Sequence, residues 1–178
     1  MMAKPSVYIA GPAVFHPGWP SFAQLVAQKC MELGLKPLFP IAPSQSLDRP
    51  GIIGVSKEGT AADARAIFRD CLSQIRKCDA VIADLTPFRG EEPDSGTVVE
   101  TSFAFSLGKP VIGYVQKPKE TKGTPTSYGG RVDAEGFVYE CFGLSTNLMV
   151  ENVCQVVLQG DVGAALAWYA APLEHRHF

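Results

Sequence analysis

Apolar residues along this chain fall into two alternating rhythms: short unbroken runs, and longer stretches in which they recur every three or four positions. The first run, SVYIA over 6–10, is β-branched and aromatic and is ended by Gly11-Pro12, so it predicts a buried strand. Over 19–33, Trp19, Phe22, Ala23, Val26, Cys30 and Leu33 keep helical spacing, with Gly34 as a C-terminal cap. A second strand is predicted over 35–39, stopped by Pro40. Residues 41–60 hold Pro43, Pro50, Gly51, Gly54 and Gly59 without periodicity and read as a long loop, functional or mobile in kind. A helical pattern returns over 61–77, with Ala64, Ile67, Phe68, Cys71, Leu72 and Ile75 on one side. DAVIAD over 79–84 predicts a strand with a carboxylate at its end, and a polar loop follows over 86–95. A helix over 97–107, stopped by Gly108 and Pro110, leads to a fourth strand over 109–115. Residues 116–136, rich in Lys, Thr and Gly, read as a mobile surface excursion. A fifth strand is predicted over 137–142, and helices over 148–159 and 162–170.

Strands that alternate with helices of this length imply a mostly parallel sheet covered on both faces. The expectation is a doubly wound α/β fold, flavodoxin- or Rossmann-like, with five strands in a single domain over 1–178. Such sheets bind ligands outside the carboxyl ends of their strands. That rule selects 10–15, 39–48, 84–96 and the stretch after 115.

Composition narrows the partners. Hydrophobic residues are 46% and charged residues 19% of the 178, which excludes wholesale disorder. A formal charge of −2 argues against a surface for polyanions, so no nucleic-acid partner is expected. The five cysteines lack a CxxC pair, their number is odd, and three lie in apolar helical stretches. They read as free thiols acting as small hydrophobes, which points to the cytoplasm. The opening apolar run, cut by Gly11-Pro12, is too short for a secretory signal. No stretch approaches the roughly 20 apolar residues that span a bilayer, so no membrane partner is expected.

The segment Asp94-Ser95-Gly96-Thr97-Val98-Val99-Glu100 follows a strand and opens a helix. Thr97 is a candidate N-cap, which places Glu100 in the first turn. Glu100 then either closes a capping box or faces a ligand as an anion favoured by the helix dipole, and so stays ionised. An ionised carboxylate at the ligand end of a sheet suits nucleophilic attack on a sugar carbon. Asp94 either binds loop amides or holds a ligand hydroxyl. Asp70, beside the stripe containing Ile67, Cys71 and Ile75, is either a solvated helix carboxylate or one that points over the strand ends. Tyr8 packs in the core by default, but a buried phenol needs a polar partner, and a nearby carboxylate would serve. Carboxylates sharing a cleft divide the roles of nucleophile and proton donor. The glycines of the long loop form neither GxxxxGK[ST] nor GxGxxG, there is no GxSxG, and no His/Cys/Asp group has metal-ligand spacing.

Three segments, YIAGPAVF, RDCLSQIRKCDAVIADL and DSGTVVETSFAFSLGKPVI, resemble the nucleoside 2-deoxyribosyltransferases in order and content over most of 7–112. A fainter match lies at Ser145-Thr146-Asn147-Leu148-Met149. The resemblance implies cleavage of the N-glycosidic bond of 2′-deoxynucleosides and transfer of the deoxyribosyl group to another free nucleobase. It implies that Glu100 is the nucleophile, that Asp70 assists proton transfer at the base, and that Tyr8 orients Glu100. It places Asp94 near the sugar 5′-hydroxyl and Phe15 against the base, with Gly11 of the first motif in the substrate site. A neighbouring subunit of a homo-oligomer would complete each site, with Asn147 as the candidate contribution, and no metal or organic cofactor is required. Trapping of the sugar on Glu100 and attack by a second base give retention and ping-pong kinetics.

Two other readings compete. Relatives that hydrolyse 2′-deoxynucleoside 5′-monophosphates resemble this pattern but tend to carry a serine where this chain has Asp94. A carboxylate there repels a phosphate dianion, although Ser95 is adjacent. A non-catalytic nucleoside sensor on the same fold would have little use for an unpaired ionised glutamate beside a sugar.

Overall fold

A computed structural model of the chain describes residues 3–40, 60–117, 123–127, 130–140 and 142–175. Strand β1 is Ser6–Ala10, helix α1 is Trp19–Glu32, β2 is Lys36–Leu38, α2 is Ala61–Lys77, β3 is Ala80–Asp84, α3 is Ser95–Ser106 and β4 is Val111–Val115. A two-residue hairpin, β5 Thr124–Pro125 and β6 Arg131–Val132, precedes the one-turn helix α4 Leu148–Glu151. Strand β7 Val156–Gln159 and helix α5 Val162–Ala170 follow.

Five strands form one parallel sheet in the order β2-β1-β3-β4-β7. This is the flavodoxin-like order, whose direction of winding reverses between β1 and β3. Strands β3 and β4 are buried along their whole length, which is why they read as unbroken apolar runs. Val7 and Ile9 of β1 point into one layer with Trp19, Val26 and Cys30 of α1 and Leu166 of α5. Tyr8 and Ala10 point into the other layer with Ile75 of α2 and Ala104 of α3. Pro37 sits in β2, an edge strand, where a missing ladder donor is tolerated.

Helix α1 buries Trp19, Ala23, Val26 and Cys30 at the predicted spacing. It stops at a left-handed Gly34 (φ 72°), and the Leu35 amide closes back on the Cys30 carbonyl at 2.8 Å. Helix α2 starts on a capping box in which Thr60 and Asp63 satisfy each other's amides. Its apolar stripe is only half used: Cys71 and Ile75 are buried, whereas Phe68 is 54% exposed.

The fifth strand differs from expectation. Among the described residues of 137–142 a single bridge forms, Val138 to Val132, and Cys141 lies outside the described residues. The fifth strand is β7, inside the stretch 148–159 read as a helix. Its run VVLQ pairs with β4 on the open edge of the sheet, a long-range contact that local spacing does not report. Val162, Ala165 and Leu166 of α5 are buried in the core. The excursion after β4 carries the β5–β6 hairpin. The long loop lies outside the described residues apart from Thr60. No described helix is long and apolar enough to cross a membrane, and Cys30, Cys71, Cys78 and Cys154 are free thiols.

Candidate active site

The reversal point between β1 and β3 is built on a close backbone approach. Gly11 leaves β1 at φ 153°, and a Cβ there would lie 2.9 Å from the Asp84 Cβ at the end of β3. Only glycine allows the two strand ends to come this near. Asp84 is buried, and its Oδ1 accepts from the Thr86 amide at 3.0 Å, which turns the chain away from the sheet. On the same side of the sheet, burial first, then the Asp84 carboxylate, pushes the Tyr114 phenol above the ordinary range.

On the opposite face, α3 descends from the carboxyl end of β3 across β1. The Tyr8 hydroxyl donates to Glu100 Oε1 at 2.6 Å, joining residues 92 apart in sequence. Cys71 is buried on α2, which packs against α3. Glu100 is partly buried, and desolvation pushes its carboxyl up to about 7 against the downward pull of Tyr8 and Cys71. The Asp94 charge pushes in the same direction as burial. Burial first, then Glu100, drives the Tyr8 phenol far above its ordinary value, so it remains a donor.

The helix begins earlier than the sequence suggested. Asp94, not Thr97, is the N-cap of α3: its Oδ2 accepts from the Thr97 amide at 2.9 Å and from the Thr97 hydroxyl at 3.0 Å. Glu100 therefore lies in the second turn, outside a capping box and past the reach of the first-turn dipole. The helix dipole is therefore not what sets its charge: burial raises its carboxyl, with Tyr8 pulling the other way.

The other predicted residues are placed as follows. Asp70 is exposed on α2 next to Cys71, and its charge acts on the Cys71 thiol. Phe15 ends a 3-10 turn over Pro12–Phe15 and is 49% exposed. It stacks with Phe88 at a centroid distance of 6.0 Å. The Arg89 guanidinium lies 4.7 Å from the Phe88 ring and 5.7 Å from the Phe15 ring. Arg89 takes a left-handed backbone (φ 53°), uncommon for a side-chain-bearing residue. Asn147 caps α4: its Oδ1 accepts from the Met149 amide and its Nδ2 donates to Glu140 Oε1, both at 2.9 Å. Among the described residues no three His, Cys, Asp or Glu are grouped to hold a metal ion.

Cys71, Phe88 and Arg89 were not singled out from the sequence. The apolar stripe placed Cys71 on the buried side of its helix, but nothing local signalled a polar partner there. An aromatic and an arginine in the loop after a strand were the available signal for the other two.

A flavodoxin-like parallel sheet with a tyrosine-held carboxylate beside its reversal point defines an α/β protein with a carboxylate-centred site. The family model for nucleoside 2-deoxyribosyltransferase matches residues 7–149, and the chain belongs to that enzyme family. A 2-desoxiribosyltransferase structure from Leishmania mexicana is 31% identical, with a TM-score of 0.68 over 97% of this chain and 99% of its own. A 2-deoxyribosyltransferase from Bacillus psychrosaccharolyticus, 18% identical, shares the fold with a TM-score of 0.57 over 90% of each chain. An uncharacterized protein of Schizosaccharomyces pombe is 26% identical over 171 residues, 83% of this chain and 76% of its own length.

Proposed function

We propose that this protein transfers the 2-deoxyribosyl group of 2′-deoxynucleosides between free nucleobases through a covalent ester on Glu100. The observation that carries this reading is the 2.6 Å hydrogen bond from Tyr8 to Glu100 Oε1, which fixes a partly desolvated carboxylate. A carboxylate stripped of water is a better nucleophile, and one oriented by a phenol directs its second oxygen.

In this mechanism a Glu100 oxygen forms a bond to C1′ while the C–N glycosidic bond breaks. The electron pair leaves on the base nitrogen, which takes a proton with the help of Asp70. General acid assistance of this kind is worth about 10²–10⁴-fold. The absent 2′-oxygen eases the oxocarbenium-like transition state. A second base then attacks C1′ from the vacated face, its nitrogen loses a proton, and the Glu100 carboxylate is released, so configuration is retained. Asp94 holds the sugar near its 5′-hydroxyl, Gly11 leaves room for the ligand at the strand end, and Phe15 packs on the base beside Phe88 and Arg89. In a homo-oligomer, Asn147 completes the site of a neighbouring subunit.

Incubation with deoxyinosine and adenine is expected to yield deoxyadenosine. Release of free deoxyribose without exchange would instead mark a hydrolase. Mass spectrometry after mixing with a 2-fluoro-2-deoxynucleoside should show a sugar adduct on Glu100. Glu100→Ala should lose turnover by about 10³-fold or more while keeping its circular-dichroism spectrum. Near-wild-type exchange by that variant would remove the mechanism.

A further inference from the structure

We infer that Arg89 is a positioning residue: its guanidinium braces the Phe15–Phe88 ring pair and so holds Phe15 ready for the nucleobase. The inference rests on the proposed base exchange and on the place of Phe15 in it.

Two loops that leave the sheet at its reversal point carry the three side chains. Phe15 ends the 3-10 turn after β1, where the His16 amide returns to the Ala13 carbonyl at 3.0 Å. Phe88 and Arg89 lie in the loop between β3 and α3. The start of that loop is tied down twice. The Thr86 amide donates to Asp84 Oδ1, and the Thr86 hydroxyl accepts from the Gln116 amide, each at 3.0 Å. The Phe88 amide then donates to the Glu92 carbonyl, also at 3.0 Å, which closes a short turn over Arg89.

The three groups make a nearly equal-sided triangle. The ring centroids are 6.0 Å apart with 20° between the planes. The Arg89 guanidinium carbon lies 4.7 Å from the Phe88 centroid and 5.7 Å from that of Phe15. One cation therefore attracts both rings and links the loop after β1 to the loop after β3. Arg89 does this from a left-handed backbone (φ 53°), which a residue with a Cβ keeps only where its surroundings hold it there. The two rings supply that hold.

Phe15 remains 49% exposed after these contacts, so part of its surface is open to a ligand. A half-exposed side chain on a loop must be ordered when a base packs on it, and ordering weakens binding. The brace removes that cost before the base arrives. Every base has a π-face, so the gain applies to purines and pyrimidines alike. It belongs to binding and not to bond cleavage at C1′. Lysine is a partial substitute only, because a compact ammonium lacks the planar surface that a guanidinium lays against a ring.

The test uses wild type, Arg89→Gln and Arg89→Lys, with adenine and cytosine as probes. Glutamine removes the cation but keeps a Cβ on the same backbone. The first readout is the Kd of the free base by equilibrium dialysis, which needs no turnover. The second is KM and kcat for exchange with deoxyinosine. In Arg89→Gln the Kd and KM of each base that wild type binds should rise together by about three- to tenfold, with kcat within about twofold. Arg89→Lys should fall between this variant and wild type. In a Phe15→Ala background, Arg89→Gln should add almost nothing, because the brace acts through Phe15. A full effect in that background overturns the proposal, since Arg89 would then act on the base by another route. An unchanged or lowered Kd, or a loss confined to kcat, overturns it as well. If the glutamine variant does not fold, the lysine variant decides, by an intermediate rise in Kd or by none. A wild type that neither binds nor exchanges bases refutes the functional reading itself. Exchange that continues with Kd and KM unmoved refutes only the role of Arg89.

Discussion

Glu100 is held between opposed influences. Its hydrogen bonds favour the anion, and its removal from water favours the acid, with the acid winning as far as about 7. This has a consequence for stability. A folded carboxyl raised above its ordinary 4.5 contributes stability below that value, and the contribution is lost as pH rises through about 7. Glu100→Gln, which keeps an acceptor for Tyr8 but carries no charge, should be more stable than wild type at about pH 8.5 by about 1–3 kcal/mol. The advantage should vanish near pH 4.5, where wild type is itself neutral. Urea denaturation at the two pH values checks this, and an equal difference at both would contradict it. Tyr8, Asp94 and Glu100 were nameable from the sequence because buried phenols need partners and carboxylates after strands are candidates for chemistry, and Asp70 because it borders the apolar stripe of its helix. The state of Glu100 was not, because desolvation is set by what covers a side chain.

At the scale of the element, α3 shows how one residue can cap a helix and act on a second carboxylate of the same helix. Asp94 caps the helix through the Thr97 amide and hydroxyl, and its charge also acts on Glu100. Asp94→Ala should lose about 1 kcal/mol of stability, whereas Asp94→Ser, which keeps a capping oxygen, should stay within a few tenths of wild type. Serine also removes the negative charge, so preference should shift from 2′-deoxynucleosides toward their 5′-monophosphates. A substrate competition assay on the folded serine variant separates the two effects, and unchanged selectivity would count against the charge argument. Thr97 was misread as the cap because Asp94 and Thr97 are both good capping residues three positions apart. Which one takes the non-helical conformation depends on how β3 delivers the chain. Strand β7 was misread for a related reason. Its four residues belong to a sheet edge formed by β4, and a short apolar run carries no sign of its distant partner.

At the scale of the molecule, the site depends on the meeting of β1 and β3. Gly11→Ala would set a Cβ 2.9 Å from the Asp84 Cβ on a backbone of φ 153°. The expected loss is about 1–3 kcal/mol, with base exchange falling more steeply than stability because the strand ends must part. Urea denaturation and exchange rates measured on the same preparation check it. Full activity in a normally stable variant would show that the approach is not required.

The order of apolar runs and amphipathic stretches, with their glycine and proline punctuation, specified a parallel α/β sheet from the chain alone. Burial on both strand faces and along one helix stripe leaves that imprint locally. The motif residues on those elements supplied the family resemblance for the same reason. Contacts between elements leave no such imprint. The Tyr8–Glu100 hydrogen bond, the true cap of α3, the place of β7 and the proton affinity of Glu100 all arise where segments distant in sequence exclude water from one another. That exclusion exists only once the sheet has closed under its helices.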